Sequence, residues 1–387
     1  ARRPAGARAL GRARCAGGPP GMGDAALPPG HFLFASEAAT EGCPDKLCDR
    51  VADAVLDACV AQDADARVAC EACAKSSMVM LLGEACTKAS VSYEQAIREA
   101  VKAVGYDSDD KGLDWRTMNV IVAIEASSPD LAFRAAAEDA AGAGQPCVAC
   151  GYATDESLER VPVSHALATR LCMLLDKVRR DGAVAGLRPG GSAQVVVEYA
   201  EASDGSVAPV RVRSALLHAP RAPDAKAEQL EKELIDQVVR PAIPERFGDA
   251  ASYCRISSQK ESLRSDVGMS GRRSASDTYG GWGGHADGGL SGKDASRASR
   301  VAAYGARWVA LSLVAARLCR RVSVQLAYAG GGPEPASVAV NSHGTSKVSG
   351  KSDLDLEEVV RQHFDLRLAA LSQELRLKSM RFQNFSA

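Results

Sequence analysis

Apolar and polar positions alternate along this chain with two periods, and the longer period predicts helices. The clearest helix spans 44–61, where apolar residues recur at spacings of three and four and Pro44 suits the first helical position. A second helix is predicted over 92–104, since Ser92 suits an N-cap and Gly105 a stop. The other predicted helices span 163–179, 226–240 (ended before Pro241 and Pro244), 306–318, and a last one from its cap Ser352 to about Phe364.

Short runs rich in β-branched residues predict strands between these helices. Paired strands are expected within 66–90, with Gly83 as a break, and the other strands are predicted at 118–124, 194–200, 210–217 and 321–328. The stretch 130–150 has no firm period, and we interpret it as a loop over the site or a domain junction. Helices and strands that alternate in similar units predict an α+β or α/β architecture of several small sheet-and-helix domains.

Composition narrows the classes of partner. The 387 residues are 46% hydrophobic and 25% charged, as is ordinary for a globular protein of two or three domains. A net charge of −1 gives no reason to expect nucleic acid or an anionic membrane as partner, and no apolar run reaches the length of a membrane span. We therefore expect small molecules or other protein chains as partners.

The first 30 residues differ from the rest of the chain. They contain five arginines, many glycines and prolines, and no acidic residue before Asp24. We interpret 1–30 as a disordered or targeting tail, or as non-native sequence upstream of Met22. The cytoplasm is the expected compartment, and an organelle is the alternative if this tail is a transit segment.

Cysteine spacing raises the question of a zinc site. Two of the 12 cysteines form the pair Cys70/Cys73 and two more form Cys147/Cys150, so that four zinc ligands are available. However, Cys70 and Cys73 lie in a predicted strand, where positions three apart face opposite sides. Buried free thiols are the favoured interpretation.

The segment 277–294, DTYGGWGGHADGGLSGKD, carries the strongest chemical signal. Its seven glycines in eighteen positions let the backbone approach a ligand closely, and its last residues offer an ammonium and a carboxylate. This combination suits a polyphosphate and its metal ion. A flexible linker is the alternative, but Tyr279, Trp282 and His285 are unusual in a linker.

Together with three other segments, this loop resembles the S-adenosylmethionine synthase (methionine adenosyltransferase) family. The others are SEAATEGCPDKLCDRVADAVLDA (36–58), RVACEACAKSSMVMLLGE (67–84) and GYATDE (151–156). The resemblance implies three α+β domains of similar β-α-β-β-α-β design around a pseudo-threefold axis, at 31–128, 140–253 and 255–387. Family members are dimers or dimers of dimers, with active sites between subunits.

The resemblance also implies a reaction: ATP, L-methionine and water give S-adenosylmethionine, phosphate and diphosphate, with Mg²⁺ and K⁺ as cofactors. The implied catalytic residues are Arg272, Lys293 and Lys46. ATP binding falls to Asp266, Arg272, Arg273, Lys293 and Arg297. Asp45 matches the Mg²⁺ ligand, Glu71 the K⁺ site and Glu84 the methionine site. Each of these charges could instead be a surface charge or an ion-pair partner.

Five family positions are substituted where the chemistry is expected. By the resemblance, Cys43 replaces a histidine, Ser127 a glutamine, Gln145 an aspartate, Ser192 a lysine and Ser299 an aspartate. A neutral thiol cannot donate like an imidazolium, and each lost electrostatic group typically costs roughly 10²–10³ in rate. The aromatic residue that covers adenine also has no clear counterpart in 256–266.

Two hypotheses follow. The chain is an active synthase with an unusual site, working as a homodimer or homotetramer. Alternatively, it is a catalytically impaired paralogue that serves as a structural or regulatory subunit, for example in a hetero-oligomer with an active synthase. The clustered substitutions favour loss or strong impairment of activity.

Overall fold

Helices and strands alternate along the chain, as predicted. The computed structural model describes residues 27–126, 143–249, 253–258, 266–286, 288–347 and 352–384. The helices are α1 Pro44–Val60, α2 Tyr93–Val104, α3 Val163–Arg180, α4 Ala227–Leu234, α5 Ser274–Tyr279, α6 Ala298–Ala315, α7 Asp353–His363 and α8 Leu368–Glu374. The strands are β1 His31–Ala39, β2 Arg67–Lys75, β3 Met78–Cys86, β4 Asp107–Ser108, β5 Leu113–Asp114, β6 Asn119–Ala126, β7 Cys147–Thr154, β8 Ser192–Glu201, β9 Val207–His218, β10 Cys254–Ser257, β11 Gly268–Met269, β12 Arg321–Tyr328 and β13 Ser337–Asn341.

Three sheets interlock by exchanging strands. Their orders are β1-β8-β9-β10, β11-β2-β3-β6 and β13-β12-β7, so each sheet takes one strand from a distant part of the chain. The strand β1, for example, runs antiparallel to β8 from Ala39 beside Ser192 to His31 beside Ala200. The sheets therefore do not follow the predicted domain boundaries strand for strand, and those boundaries stay a prediction.

Each sheet buries one face beneath helices and so forms its own core. The helices α1 and α2 cover the β11-β2-β3-β6 sheet, α3 and α4 cover the β1-β8-β9-β10 sheet, and α6, α7 and α8 cover the third. In β2 the even positions from Val68 to Ala74 are buried, as the two-residue period of a strand requires. The opposite faces of the sheets remain partly exposed.

Local signals confirm several predicted boundaries. Ser92 accepts a hydrogen bond from the Gln95 amide at the start of α2, and Gly105 ends that helix with a φ of 103°. Ser352 begins α7 through a capping box with Asp355. Capping is a local interaction, which is why the sequence alone predicted these ends.

Other predictions were wrong where distant contacts decide. Cys147–Cys150 was expected in a loop but begins β7, whose partner β12 lies far along the chain. Its small residues show no alternation because β7 is largely buried. Gly83 does not break the strand: it lies inside β3, where a side chain would come 2.1 Å from the Ala69 carbonyl oxygen. Residues 143–146 lie in no helix or strand, as the loop prediction requires, and 130–142 lie outside the described residues.

Two helix ends and the number of C-terminal helices also differ from prediction. After α4 the helical path continues through a π turn, Ile235–Val239, into Arg240–Ala242, so it passes Pro241 instead of ending before it. The wider turn accommodates the missing proline amide. The helix predicted from residue 306 begins at Ala298, and α8 follows the helix that was expected to be last.

Candidate functional site

The N-terminus of α1 places three of the predicted residues together. Cys43 occupies the N-cap position, Pro44 the first turn, and Asp45 and Lys46 follow. Burial raises the pKa of the Cys43 thiol, and the nearby Arg273 guanidinium only partly offsets this. The thiol is therefore neutral near pH 7 and cannot supply the charge of an imidazolium at this helix end.

A row of aspartates along α1 anchors distant parts of the chain. Residues four apart share one helix face, and the carboxylates of Asp45, Asp49, Asp53 and Asp57 all accept backbone N–H groups from beyond residue 265. The donors are Met269 at 2.9 Å, Gly271 at 2.7 Å, Gly292 at 2.8 Å, and Phe382 and Gln383 at 2.8 and 3.0 Å. We call these four residues the aspartate row.

Three members of this row were missed by sequence reasoning. Asp49, Asp53 and Asp57 repeat the four-residue spacing of Asp45, and that spacing was the available signal. An acidic stripe on a helix usually indicates a solvated face. Here Asp49 is only 6% exposed and Asp53 only 1%. The row therefore holds Gly292 of the glycine-rich segment, the backbone at 269–271 before it and the backbone at 382–383 against α1.

The predicted Mg²⁺ ligand Asp45 is already engaged. Its Oδ1 accepts the Met269 amide and lies 3.4 Å from Nη1 of Arg272, which also donates to the Val267 carbonyl. Across the described ranges, no three His, Cys, Asp or Glu side chains stand together as a metal site. One carboxylate fits a Mg²⁺ ion held mainly by substrate phosphates. The second expected ligand position, Ser299, offers only a hydroxyl and does not fit.

Lys46 forms an ion pair beneath the glycine-rich segment. Its Nζ lies 3.2 Å from Oδ2 of Asp277, and both side chains are largely shielded from solvent. His165 of α3 lies beside this pair and is buried. Burial lowers the pKa of His165, against the opposing influence of the Asp277 carboxylate, so the imidazole is neutral near pH 7. Lys46 is thus the cation that Asp277 orients.

Arg273 is a half-buried cation with two buried nitrogens that lack hydrogen-bond partners among the described residues. Its Nη1 lies 3.2 Å from Oε1 of Glu37, and its side chain is 17% exposed. Among the described residues, neither its Nε nor its Nη2 has a hydrogen-bond partner. Buried charged donors without partners are costly. Their position beside Cys43 suits an anion that would complete them.

The far end of the glycine-rich segment is held against β2. Gly292 has a φ of 73°, and a side chain there would come 2.0 Å from the Cys70 carbonyl oxygen. The Cys70 amide donates to the Gly292 carbonyl at 3.0 Å. The backbone of Lys293 forms an isolated antiparallel β-bridge with Ala69. Asp294 accepts the Val68 amide at 2.7 Å. The backbone that carries Lys293 is therefore rigidly placed.

Two further predicted residues meet at the start of α6. Arg297 Nη2 lies 2.6 Å from Glu84 Oε1, and both side chains are about two-fifths exposed, at 37% and 42%. Ser299 occupies the first turn of the same helix, just behind Arg297. The predicted methionine-binding and ATP-binding residues Glu84 and Arg297 thus form one exposed ion pair.

The remaining predicted residues show no such gathering within the described chain. Glu71 is exposed on β2, and Gln145 is exposed in the loop before β7. Asp266 accepts its neighbouring Val267 amide and adjoins Arg272 only through Val267. Ser192 begins β8 opposite Ala39, and Ser127 lies outside the described residues.

The CxxC pairs do not come together as a zinc site. Cys70 and Cys73 lie in β2, while Cys147 and Cys150 lie in β7 of a different sheet. All four are free thiols, and Cys70 is buried while Cys73 is half-buried, as a strand predicts. Separately, no helix in the described part of the chain is long and apolar enough to cross a bilayer.

Three interlocked sheet-and-helix units define a three-domain α+β protein, and several cations lie at the two ends of its glycine-rich segment. Family models of S-adenosylmethionine synthetase match the chain throughout: the N-terminal domain at 31–129, the central domain at 140–260 and the C-terminal domain at 261–387. The chain belongs to the S-adenosylmethionine synthetase family. The predicted family and its three-domain α+β fold are confirmed.

Proposed function

We propose that this chain binds ATP and L-methionine and forms S-adenosylmethionine, phosphate and diphosphate, but at a strongly reduced rate. The observation that carries the binding half is Arg273, a half-buried arginine with two buried nitrogens that have no partner among the described residues. The observation behind the slow rate is the neutral thiol of Cys43 at the adjoining helix end.

The cations along the glycine-rich segment suit the triphosphate of ATP. Lys46, Arg272 and Arg273 lie at one end of the segment, and Lys293 and Arg297 at the other. In this reaction the whole triphosphate leaves, so the protein's main task is to neutralise its charge. Two aspartates of the row hold the backbone beside these cations: Asp49 binds the Gly271 amide next to Arg272, and Asp53 binds the Gly292 amide next to Lys293.

The substitutions weaken this charge neutralisation. Cys43 supplies no cation, and Ser299 and Ser192 supply neither a carboxylate nor an ammonium. A bound Mg²⁺ would neutralise part of the phosphate charge, and Asp45 with phosphate oxygens would hold one such ion. Two or three lost groups at roughly 10²–10³ each, reduced by non-additivity, predict binding with slow turnover.

Methionine would enter where Glu84 now pairs with Arg297. Because the pair is partly exposed, its net contribution to stability is small, roughly 0–1 kcal/mol. An α-ammonium group could therefore displace Arg297 from Glu84 at little cost. The freed guanidinium would then face phosphate. In this proposal Glu71, exposed on β2, contributes to a K⁺ site.

The open face of the β11-β2-β3-β6 sheet supports a dimer. Met269, Cys73, Met80 and Ile121 lie side by side across its four strands. Met269, Leu82 and Ile121 are 45%, 41% and 41% exposed, which is unusual for large apolar side chains placed together. A second copy that packs on this face would cover it and lie close to Glu71 and Glu84.

One preparation tests binding and turnover together. The purified chain is titrated calorimetrically with a non-hydrolysable ATP analogue and Mg²⁺, and S-adenosylmethionine is measured by mass spectrometry after incubation with ATP, methionine, Mg²⁺ and K⁺. We expect saturable binding and slow product formation above a buffer blank. Absence of analogue binding would refute the proposed function.

The second candidate is a regulatory or structural subunit of a synthase hetero-oligomer. The same apolar face favours it, because the face would accept an active family member as readily as a second copy. Native mass spectrometry of a mixture with an active synthase distinguishes the two. Mixed dimers whose activity per active subunit changes favour the regulatory role, whereas homodimers with product formation of their own favour the enzyme.

A further inference from the structure

We infer that Arg300, paired with Asp53, is a positioning residue for Lys293. This inference rests on the proposed role of Lys293 in triphosphate binding. Arg300 Nη1 donates to Asp53 Oδ1 at 3.0 Å and to the Lys293 carbonyl at 2.8 Å, and its Nη2 donates to Asp53 Oδ2 at 3.2 Å. Both side chains are 1% exposed. Neither Arg300 nor Asp53 was among the residues predicted from the resemblance.

Asp53 and Arg300 together hold the backbone of two consecutive loop residues, Gly292 and Lys293. Asp53 Oδ1 accepts the Gly292 amide at 2.8 Å, while Arg300 binds the carbonyl of Lys293. The Gly292 carbonyl is held in turn by the Cys70 amide at 3.0 Å. Three hydrogen bonds therefore fix the backbone from Gly292 to Lys293. The direction in which the Lys293 side chain leaves the loop follows from them.

Stability alone does not explain a buried pair of this kind. Replacing a buried ion pair by apolar residues of similar volume is often neutral or stabilising, by about 1–4 kcal/mol. What apolar residues cannot supply is the pair of bonds to the Gly292 amide and the Lys293 carbonyl. Those two bonds point to positioning of the loop as the use of the charges.

The C-terminal segment keeps water from the pair. The Arg300 guanidinium carbon lies 4.0 Å from the centroid of the Phe382 ring, and Phe382 is 0% exposed. Asp57 holds the Phe382 amide, and Tyr304 accepts a hydrogen bond from Arg300 Nε at 3.2 Å. A guanidinium against an aromatic face with little water nearby makes strong hydrogen bonds. The Lys293 carbonyl is thereby held more firmly than an exposed donor would hold it.

The test uses Mg²⁺-tripolyphosphate as probe and a double-mutant cycle. Arg300→Lys keeps the charge but cannot span Asp53 and the Lys293 carbonyl with a planar fork. We expect it to weaken tripolyphosphate binding roughly tenfold, and to have little further effect once Lys293→Met is present. An equal loss in both backgrounds would overturn the positioning role. Arg320→Lys, at an ion pair with Asp155 away from the loop, is the matched control.

Amide hydrogen exchange tests the same point without ligand. Arg300→Lys is expected to speed exchange of the Gly292 amide at least tenfold while the α1 and β2 amides stay protected. A uniform increase throughout the chain would instead show a merely structural role. If the unmodified chain binds no tripolyphosphate, the proposed function fails, and this exchange result alone decides the positioning role.

A second variant covers the case in which Arg300→Lys does not fold. Asp53→Leu combined with Arg300→Met removes both charges together, so no unpaired charge is buried. It is expected to fold, to exchange rapidly at Gly292 and to lose at least tenfold in tripolyphosphate affinity. Unchanged affinity in this double variant would contradict the inference.

Discussion

The buried Arg300 and the half-buried Arg273 lie at opposite ends of the glycine-rich segment, and they differ in how their donors are used. Arg300 has bonds from Nε, Nη1 and Nη2 to Tyr304, Asp53 and the Lys293 carbonyl. Arg273 has one ion pair, with Glu37, and two buried nitrogens that find no partner among the described residues. Every guanidinium nitrogen of Arg300 thus has a hydrogen-bond partner, whereas two of those of Arg273 have none among the described residues.

The different hydrogen bonding of Arg300 and Arg273 indicates a structural role for the first and a binding role for the second. A cation whose nitrogens all have partners gains little from an added anion, and its loss leaves a buried carboxylate without its countercharge. A cation with unused buried donors carries a standing cost that an anion relieves. We therefore propose that Arg300 positions the loop and that Arg273 binds the triphosphate.

Replacing each arginine in turn tests this difference most strongly, and we expect the largest effect here. Arg300→Met leaves Asp53 buried without its partner, and we expect a loss of about 3–5 kcal/mol in the free energy of unfolding. Arg273→Met should cost less than about 1 kcal/mol, because only the exposed Glu37 loses a partner. Urea unfolding of both variants measures this, and equal losses would remove the distinction.

A substitution of Cys43, which lies beside Arg273, tests how this end of the site contributes to the reaction. Cys43→His returns an imidazole to the N-terminus of α1, and we expect formation of S-adenosylmethionine to rise roughly 10²-fold. Affinity for the ATP analogue should change much less. Cys43→Ser is the control, since a hydroxyl restores no cation. An equal rise in the serine variant would show that the thiol was simply obstructive.

Asp49 of the aspartate row gives the free energy of unfolding a pH dependence. Burial raises the pKa of Asp49 to about 6 from its usual 3.8, so between these two pH values the folded chain keeps a proton that the unfolded chain releases. Its contribution to stability is present below pH 4 and lost as pH rises through about 6. Asp49→Asn should remove this loss, worth up to about 3 kcal/mol near pH 8.

Unfolding of the Asp49→Asn variant at pH 5 and pH 8 checks the sign. The variant should gain on the unmodified chain at pH 8 and lose that advantage toward pH 4. Asp63→Asn is the opposite control, because a hydrogen bond from the Lys88 amide lowers the pKa of Asp63. The same trend in both variants would contradict the assignment to Asp49.

The smallest expected effect lies at the cover of Arg300. Phe382→Leu keeps an apolar side chain but removes the aromatic face, and we expect a loss of about 1 kcal/mol in stability. Tripolyphosphate affinity should fall by less than threefold. A loss as large as that of Arg300→Met would show that the C-terminal segment itself, and not the ion pair, holds the loop.

The sequence predicted the fold and the cations far better than it predicted how they are held. Ser92 and Gly105 mark their helix ends locally, so these ends were predicted correctly. The strand at Cys147 depends on pairing with β12, a contact that no local pattern reveals. Asp53 resembles a solvated charge until the distant Arg300 folds against it.

The proposed site shows the same division. Lys46, Arg273 and Lys293 were named from the resemblance, yet nothing in the sequence shows that Asp277 orients Lys46. Partners more than 200 residues apart produce no periodicity. The roles of these residues toward ATP stay predictions.

The most direct test of this account is one calorimetric titration, performed on the unmodified chain and on Arg273→Met. The ligand is Mg²⁺-tripolyphosphate, and the free energy of unfolding is measured alongside. We expect saturable binding that weakens at least 30-fold, roughly 2 kcal/mol or more, in Arg273→Met at nearly unchanged stability. Equal affinity for the two chains would contradict it.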